Sequence, residues 1–167
     1  MKKRLFLVLA GIFIFSSFGF ARDFDVGGTF LFNKPMELDE KIMGGGINIG
    51  FSHHSMNNVG FGIYNNLMFA PFDGNSIYII DMLFGVSFIV RENDYFYIPF
   101  TIGPYMDICY AFVDGESATV NNFGFGANIA VKIKIKDNLK IFARFQGAYT
   151  FFGGGEIWLT PCIGVSF

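Results

Sequence analysis

The feature that most constrains this chain is a period-two alternation of bulky apolar residues with small or polar ones, repeated over most of its length after residue 21. Successive residues of a β-strand point to opposite faces, so this pattern gives each strand one apolar face and one face of a different character. Turn-forming residues divide the alternation into eight segments. These segments span approximately 24–32, 44–53, 59–69, 77–90, 95–112, 122–135, 139–152 and 156–167.

The sixth segment shows how the two faces differ. Its alternate positions are Phe123, Phe125, Ala127, Ile129, Val131, Ile133 and Ile135 on one face, and Gly124, Gly126, Asn128, Ala130, Lys132 and Lys134 on the other. The first face is bulky and uncharged, whereas the second consists mainly of small or polar residues. A soluble barrel or sandwich needs a polar face toward water. The pattern therefore favours strands whose bulky face meets lipid and whose small residues crowd the interior.

Hydropathy favours strands over helices as the membrane-spanning elements. Hydrophobic residues make up 52% of the chain, yet no apolar run after residue 21 reaches the length of a membrane-spanning helix. In hydrocarbon every backbone N–H and C=O must be paired, and strands achieve this only by closing into a barrel. The sequence therefore predicts an all-β, eight-stranded, antiparallel up-and-down transmembrane β-barrel over residues 22–167.

The first 21 residues have the pattern of a secretory signal peptide. Three basic residues at 2–4 precede an apolar run at 5–15, and Gly19 and Ala21 are small residues at the positions that a signal peptidase reads. We expect cleavage after Ala21, which makes residues 1–21 a signal peptide and the rest of the chain the mature domain. An uncleaved N-terminal anchor is the alternative.

The charge balance argues against nucleic acid as a partner. The chain has 12 basic and 14 acidic residues, and removal of the three basic residues of the signal leaves 9 against 14. A net charge of about −5 does not suit a protein that binds phosphates, because such proteins present a basic face.

The last segment carries a resemblance to a known family. Ile163, Val165 and Phe167 alternate toward an aromatic final residue. With the signal and the eight segments, this strand resembles those of the small eight-stranded outer-membrane barrels of the OmpA, OmpX and OmpW kind. The resemblance covers only the architecture of the mature chain. It implies a location in the cell outer membrane, contact with outer-membrane lipid, and insertion by the outer-membrane barrel assembly machinery, which recognises such a strand.

Charged residues on the inward faces form the candidate site. The alternation points Asp81, Asp107, Lys132, Lys134 and Arg144 into the lumen. An eight-stranded barrel has room inside for little more than its own side chains, and an unpaired buried charge is costly. We therefore expect a closed lumen polar network of paired charges. A narrow conduit or a small-ligand cavity is the alternative.

Inward apolar residues leave a further alternative open. Ile77, Ile79, Leu83 and Ile89 share the inward face of the fourth segment with Asp81. They either fill the interior or line a channel for small hydrophobic molecules, as OmpW-like barrels are thought to do.

No group of residues in the sequence favours enzymatic catalysis, so we expect no catalytic residue, no metal and no cofactor. The only two histidines, His53 and His54, fall at a predicted periplasmic turn, and two histidines alone are a poor metal site. Cys109 and Cys162 lie on inward faces at different depths, so a disulfide between them is not expected.

Three functions fit these observations, and fold alone does not choose among them. The first is an integral outer-membrane barrel with a structural or surface-interaction role and a largely filled lumen. The second is a narrow pore or carrier for small, including hydrophobic, molecules. The third is a soluble periplasmic lipid-binding β-barrel, which would need polar outer faces. A surface ligand would meet the outward connections, of which 33–43 is the most charged.

Overall fold

A computed structural model describes residues 23–35, 42–55, 58–72, 75–113, 116–152 and 155–167. These residues form eight β-strands: β1 (Asp23–Pro35), β2 (Ile42–His54), β3 (Val59–Phe72), β4 (Asn75–Glu92), β5 (Phe96–Val113), β6 (Glu116–Lys136), β7 (Leu139–Phe152) and β8 (Glu156–Ser166). The eight alternating segments are thus confirmed as strands. In these ranges no helix is long and apolar enough to cross a membrane.

The strands form one closed barrel in which each strand pairs antiparallel with its neighbours in sequence, and β8 pairs with β1. The last pairing brings the two ends of the described chain together. Phe24 and Phe167 exchange both backbone hydrogen bonds, with N···O distances of 3.0 and 2.9 Å. The predicted antiparallel up-and-down barrel of eight strands is therefore confirmed.

The barrel has two ends with different connections. The proximal end carries Asp23, Phe167 and the connections β2–β3, β4–β5 and β6–β7, whereas the distal end carries the other four connections. The β4–β5 turn is held by the side chain of Asn93, whose Oδ1 accepts hydrogen bonds from the backbone N–H groups of Tyr95 and Phe96, both at 2.8 Å. Short polar side chains of this kind favour tight turns because they replace a backbone acceptor.

The bulky face of the strands lies outside the barrel. Phe125 is 64% exposed and Ile163 61% exposed, whereas Asn128 and Lys132 on inward positions are buried. The faces follow directly from the alternation, because neighbouring residues of a strand point to opposite sides. The outer surface is therefore a continuous apolar band of aromatic and aliphatic side chains.

The interior has two layers. Toward the distal end lies an apolar cluster, and toward the proximal end lie charged and hydroxyl side chains. The apolar cluster consists of Leu31, Ile42, Tyr64, Met68, Ala70, Ile79, Leu83, Tyr105, Ala148 and Trp158. Gly50 makes room between the layers, because a Cβ there would lie 2.6 Å from the Tyr64 ring and 3.0 Å from Arg144 Nη1.

Three neighbouring strands are longer than the rest. Strands β4, β5 and β6 have 18, 18 and 21 residues, whereas the others have 11 to 14. Pairing of β7 with β6 begins at Phe123, so the part of β6 from Glu116 to Asn122 pairs with β5 alone. The predicted start of the sixth strand at 122 is therefore wrong by several residues. The residues from Glu116 to Asn122 are mostly small or polar, so they show no clear alternation from which the strand could be predicted.

Candidate functional site

Inward positions on three strands bring five charged side chains together at the proximal end of the lumen. We call this group the proximal ion network: Asp23, Asp25, Lys132, Lys140 and Arg144. The two acids are two residues apart on β1 and therefore share its inward face. Strands β6 and β7 supply the bases from the other side of the lumen.

Lys132 is the central cation of the proximal ion network. Its Nζ lies 2.6 Å from Asp25 Oδ1 and 3.3 Å from Asp23 Oδ2, and it also donates to Ser166 Oγ at 3.3 Å. Lys140 Nζ lies 2.6 Å from Asp23 Oδ1. The carboxylate oxygens of Asp23 and Asp25 therefore lie close to charged nitrogen atoms. A buried charge requires such partners.

Tyr97 closes the proximal side of this network. Its hydroxyl donates a short hydrogen bond to Asp23 Oδ2. Its ring centroid lies 5.7 Å from Lys132 Nζ and 6.0 Å from Lys140 Nζ, within the range of cation–π attraction. One aromatic side chain therefore contributes to holding the anion and both lysines.

Arg144 spans the middle of the lumen. Its guanidinium carbon lies 4.2 Å from the Tyr64 ring centroid and 4.8 Å from that of Phe142. Its Nη2 donates to Asp25 Oδ2 at 3.1 Å and to Asn48 Oδ1 at 2.9 Å. A planar guanidinium suits this position because it stacks on rings while donating in its own plane.

A polar belt continues from Arg144 around the barrel wall, formed by Asn48, Asn66, Asp81, Asp107 and Asn122. Asn48 Nδ2 donates to Asn66 Oδ1 at 2.7 Å, and Asn66 Nδ2 donates to Asp81 Oδ1 at 2.7 Å. Asn122 Nδ2 donates to Asp107 Oδ1 at 2.8 Å. The belt places two carboxylates among amides rather than among cations.

The structure separates the five predicted lumen charges into three places. Lys132 and Arg144 lie in the proximal ion network, and Asp81 and Asp107 lie in the polar belt. Lys134 lies at the proximal mouth: its side chain is 29% exposed, pairs with Glu92 at 3.1 Å, and has its Nζ 5.9 Å from the Tyr97 ring centroid. Lys134 keeps the inward phase and pairs with Lys140 on β7, but it lies so near the end of β6 that its side chain reaches the rim instead of the buried network.

The sequence reasoning missed the acids that hold the two buried bases. Asp23 and Asp25 were not assigned to the lumen, nor were Lys140 and Tyr97. The signal was present, since Asp23, Asp25, Thr29 and Leu31 occupy one alternation phase on β1. That phase is short and contains both apolar and charged residues, so it is a weaker signal than the one on β6.

The histidine prediction was also wrong for His54. Strand β2 runs through this residue, and its ring lies inside the barrel with Nε2 2.8 Å from Ser87 Oγ. Thr101 Oγ1 donates to Ser87 Oγ at 2.9 Å. Ser87 is fully buried, so this serine–histidine contact offers no surface at which a substrate could meet the hydroxyl.

The two cysteines are free thiols in the structure. Cys109 Sγ lies 3.3 Å from Asp107 Oδ1, and Cys162 is buried against β1. In the part of the chain that the structure describes, no group of three or more His, Cys, Asp or Glu side chains is placed to hold a metal ion.

The inward isoleucines and leucine lie inside the barrel wall. Ile79 and Leu83 are buried in the distal apolar cluster, Ile77 packs against that cluster, and Ile89 is buried at the proximal end of β4. Burial of this kind favours the interpretation of these residues as filler.

Comparison with protein-family models and with curated proteins finds no match for this sequence. Among solved structures the chain is similar to neisserial surface protein A, with a TM-score of 0.68 at 9% identity over 86% of this chain and 94% of that one. It is also similar to Ail, the attachment invasion locus protein of Yersinia pestis, with a TM-score of 0.61 at 13% identity over 89% and 99%. The outer membrane protein OprG from Pseudomonas aeruginosa gives a TM-score of 0.53 at 10% identity over 87% and 95%.

These likenesses define the class of fold. The chain has the fold of the small eight-stranded outer-membrane β-barrels. Ail has also been solved in complex with the heparin analogue sucrose octasulfate, and that structure gives a TM-score of 0.60 at 15% identity over 87% of this chain and 97% of the other.

The proximal ion network predicts a large difference between two lysines that are two residues apart. Lys132→Met should lower the free energy of unfolding by about 3–5 kcal/mol, because it leaves buried carboxylates without their central cation. Lys134→Met should change it by less than about 1 kcal/mol, because its ion pair is on the rim. Urea unfolding of the two refolded variants measures both values.

The double variant Lys132→Met with Asp25→Asn should not recover the loss, because Arg144 keeps Asp25 as its partner in the single variant and loses it in the double variant. Equal destabilisation by Lys132→Met and Lys134→Met would contradict the assignment of Lys132 as the central cation.

Proposed function

We propose that this protein is an integral outer-membrane β-barrel with a filled lumen and a structural or surface-interaction role. The observation that carries the proposal is the interior: charged side chains pair across the proximal half, and in the distal half apolar side chains pack beside the hydrogen-bonded amides and carboxylates of the polar belt. A barrel filled in both layers leaves its outer surface and distal connections as the parts that can meet other molecules.

The apolar outer band supports a membrane location. A soluble lipid-binding barrel needs water-facing polar residues on its outer faces, whereas Ile129, Phe125 and Ile163 are exposed there. Closure by β1 and β8 satisfies the backbone requirement that hydrocarbon imposes. Together with the fold likeness, these features favour the outer membrane over the periplasm.

Export and assembly complete the proposal. We propose that a signal peptide is removed after Ala21, and that the barrel assembly machinery recognises Ile163, Val165 and Phe167. All three side chains lie on the outer face of the final strand and are exposed to the surroundings of the barrel. A recognition factor could therefore reach them without unfolding the barrel.

The distal end is the surface that an extracellular partner would meet, and its sequence is acidic. The connections at this end hold Glu37, Asp39, Glu40, Asp73 and Asp114 as acids and Lys41 as the base. Ail has been solved with a sulfated polyanion, but an acidic end repels such a ligand. The surface role that we propose therefore involves a partner other than a sulfated polysaccharide.

A membrane-embedded barrel predicts a strong dependence on depth for charges placed on its outer face. Ile129, 46% exposed, pairs with Phe145 near the middle of β7, whereas Val90, 66% exposed, lies near the proximal end of β4. In lipid vesicles, Ile129→Arg should cost about 2–4 kcal/mol of unfolding free energy, and Val90→Arg about 0–1 kcal/mol. Equal costs, or recovery of the protein in the soluble periplasmic fraction, would argue for the soluble barrel.

The filled lumen predicts that the protein does not conduct ions steadily. In a planar lipid bilayer, the refolded protein should give no stable single-channel current, because the proximal ion network and the distal cluster fill the cross-section. Protease protection of the strands in the same vesicles shows that the barrel has inserted. A steady conductance from inserted protein would favour the narrow-pore alternative.

The acidic distal end predicts no binding to heparin. The protein in lipid nanodiscs should pass through a heparin column at physiological salt, where surface charges still act over about 8 Å. A variant with Glu37, Asp39 and Glu40 each changed to Lys should be retained. Retention of the unaltered protein would place a basic, polyanion-binding surface on it and contradict this part of the proposal.

A further inference from the structure

Two buried carboxylates lie side by side in the polar belt. Asp81 and Asp107 are directly opposite each other on β4 and β5, and both are fully buried or nearly so. Opposite residues on paired strands have Cβ atoms about 4.5–5.5 Å apart. Two carboxylates at this spacing repel each other strongly when no positive charge lies between them.

Neither carboxylate has an ion-pair partner among the described residues. The buried cations are already engaged, since Lys132 and Arg144 balance Asp23 and Asp25. Lys140 is the remaining base of the proximal ion network, and its side chain is partly exposed at the proximal mouth. The pair of acids in the belt therefore has amide donors around it but no side-chain cation against it.

Unpaired oxygen atoms surround this pair. Asp107 Oδ2 and Asn122 Oδ1 are buried and accept no hydrogen bond from the described protein. The Asn122 amide is oriented by its nitrogen, which donates to Asp107 Oδ1, so its oxygen is free to bind a ligand. Gln146 is buried, interacts with Asp81, and has an Oε1 atom that accepts no hydrogen bond.

From this arrangement we propose that Asp81 and Asp107, with the amide oxygens of Asn122 and Gln146, form a binding site for a divalent hard cation of the Ca²⁺ type inside the barrel. Carboxylate and amide oxygens are the ligands that Ca²⁺ prefers, usually six to eight of them, with water completing the set. The double positive charge of the ion would match the charge of the pair when both carboxylates are ionised. Cys109 Sγ lies 3.3 Å from Asp107 Oδ1, but thiols suit softer metals, so the ligands that we assign to the hard cation are all oxygen atoms.

Glu156 is a third carboxylate near the pair. It lies half-buried at the distal start of β8, accepts a hydrogen bond from Asn33 Nδ2 at 3.1 Å, and interacts electrostatically with Asp107. Because the distal cluster fills the lumen, we expect the ion to be bound while the barrel folds rather than to enter through an open path.

The site can be tested by stability. In a nonionic detergent, Ca²⁺ should raise the urea midpoint of the refolded protein above its value in EDTA, because an ion that binds only the folded state stabilises it. At an ion concentration of about 100 times Kd, the unfolding equilibrium constant should fall about 100-fold. Asp81→Asn combined with Asp107→Asn should abolish the shift, while Asp94→Asn, at an exposed proximal turn, should retain it in full.

Luminescence locates the ion independently of stability. The Tyr105 hydroxyl lies 3.4 Å from Asp81 Oδ2, so excitation of this tyrosine should sensitise Tb³⁺ bound at the site. Tyr105→Phe keeps both carboxylates but removes the phenol, and it should lower the Tb³⁺ emission, to which Tyr64 and Trp158 of the same cluster also contribute, while keeping the Ca²⁺-dependent shift. Added Ca²⁺ should compete with the emission of the unaltered protein.

Three results would overturn the proposal. Equal midpoints in Ca²⁺ and EDTA would mean that protons neutralise the pair instead. A shift that persists in the double variant would place the ion elsewhere. Tb³⁺ emission that Tyr105→Phe leaves unchanged would do the same, even if the double variant fails to fold.

Discussion

Backbone pairing between β1 and β8 is the constraint on which the rest of this structure depends. The two strands join residues near the opposite ends of the described chain, and their hydrogen bonds turn an open sheet into a cylinder without edges. A cylinder of eight strands is narrow, so inward side chains must fill it and satisfy one another. The apolar outer band, the paired charges and the packed distal cluster all follow from that closure.

The buried charges are better understood as links across the lumen than as a large source of stability. Taking two charges out of water is expensive, and a buried ion pair often gains little over apolar packing. The proximal ion network joins β1 to β6 and to β7, and neither of these two strands is paired with β1 in the sheet. Asp25, bound by Lys132 and Arg144 together, is the point at which these links meet.

The faces of the strands could be predicted from the sequence, whereas the partners inside the lumen could not. Alternation is a local property, so Lys132 and Arg144 could be assigned to the interior from their neighbours alone. The contact of Lys132 with Asp25 joins residues 107 positions apart across the lumen, and it depends on strand register and tilt. Lys134, whose side chain reaches the rim, and His54, which was expected in a turn, both lie near the end of a strand, and strand ends depend on the pairing of neighbours rather than on alternation.

The mutual backbone contact of Phe24 with Phe167 also determines when this protein can finish folding. Strand β1 emerges first during synthesis but has no partner on one side until β8 exists, so it must wait for nearly the whole chain. During that interval β1 and the most recently made strand both present unpaired edges, which readily pair with other molecules. Such a chain benefits from being kept extended and escorted until its last strand is available.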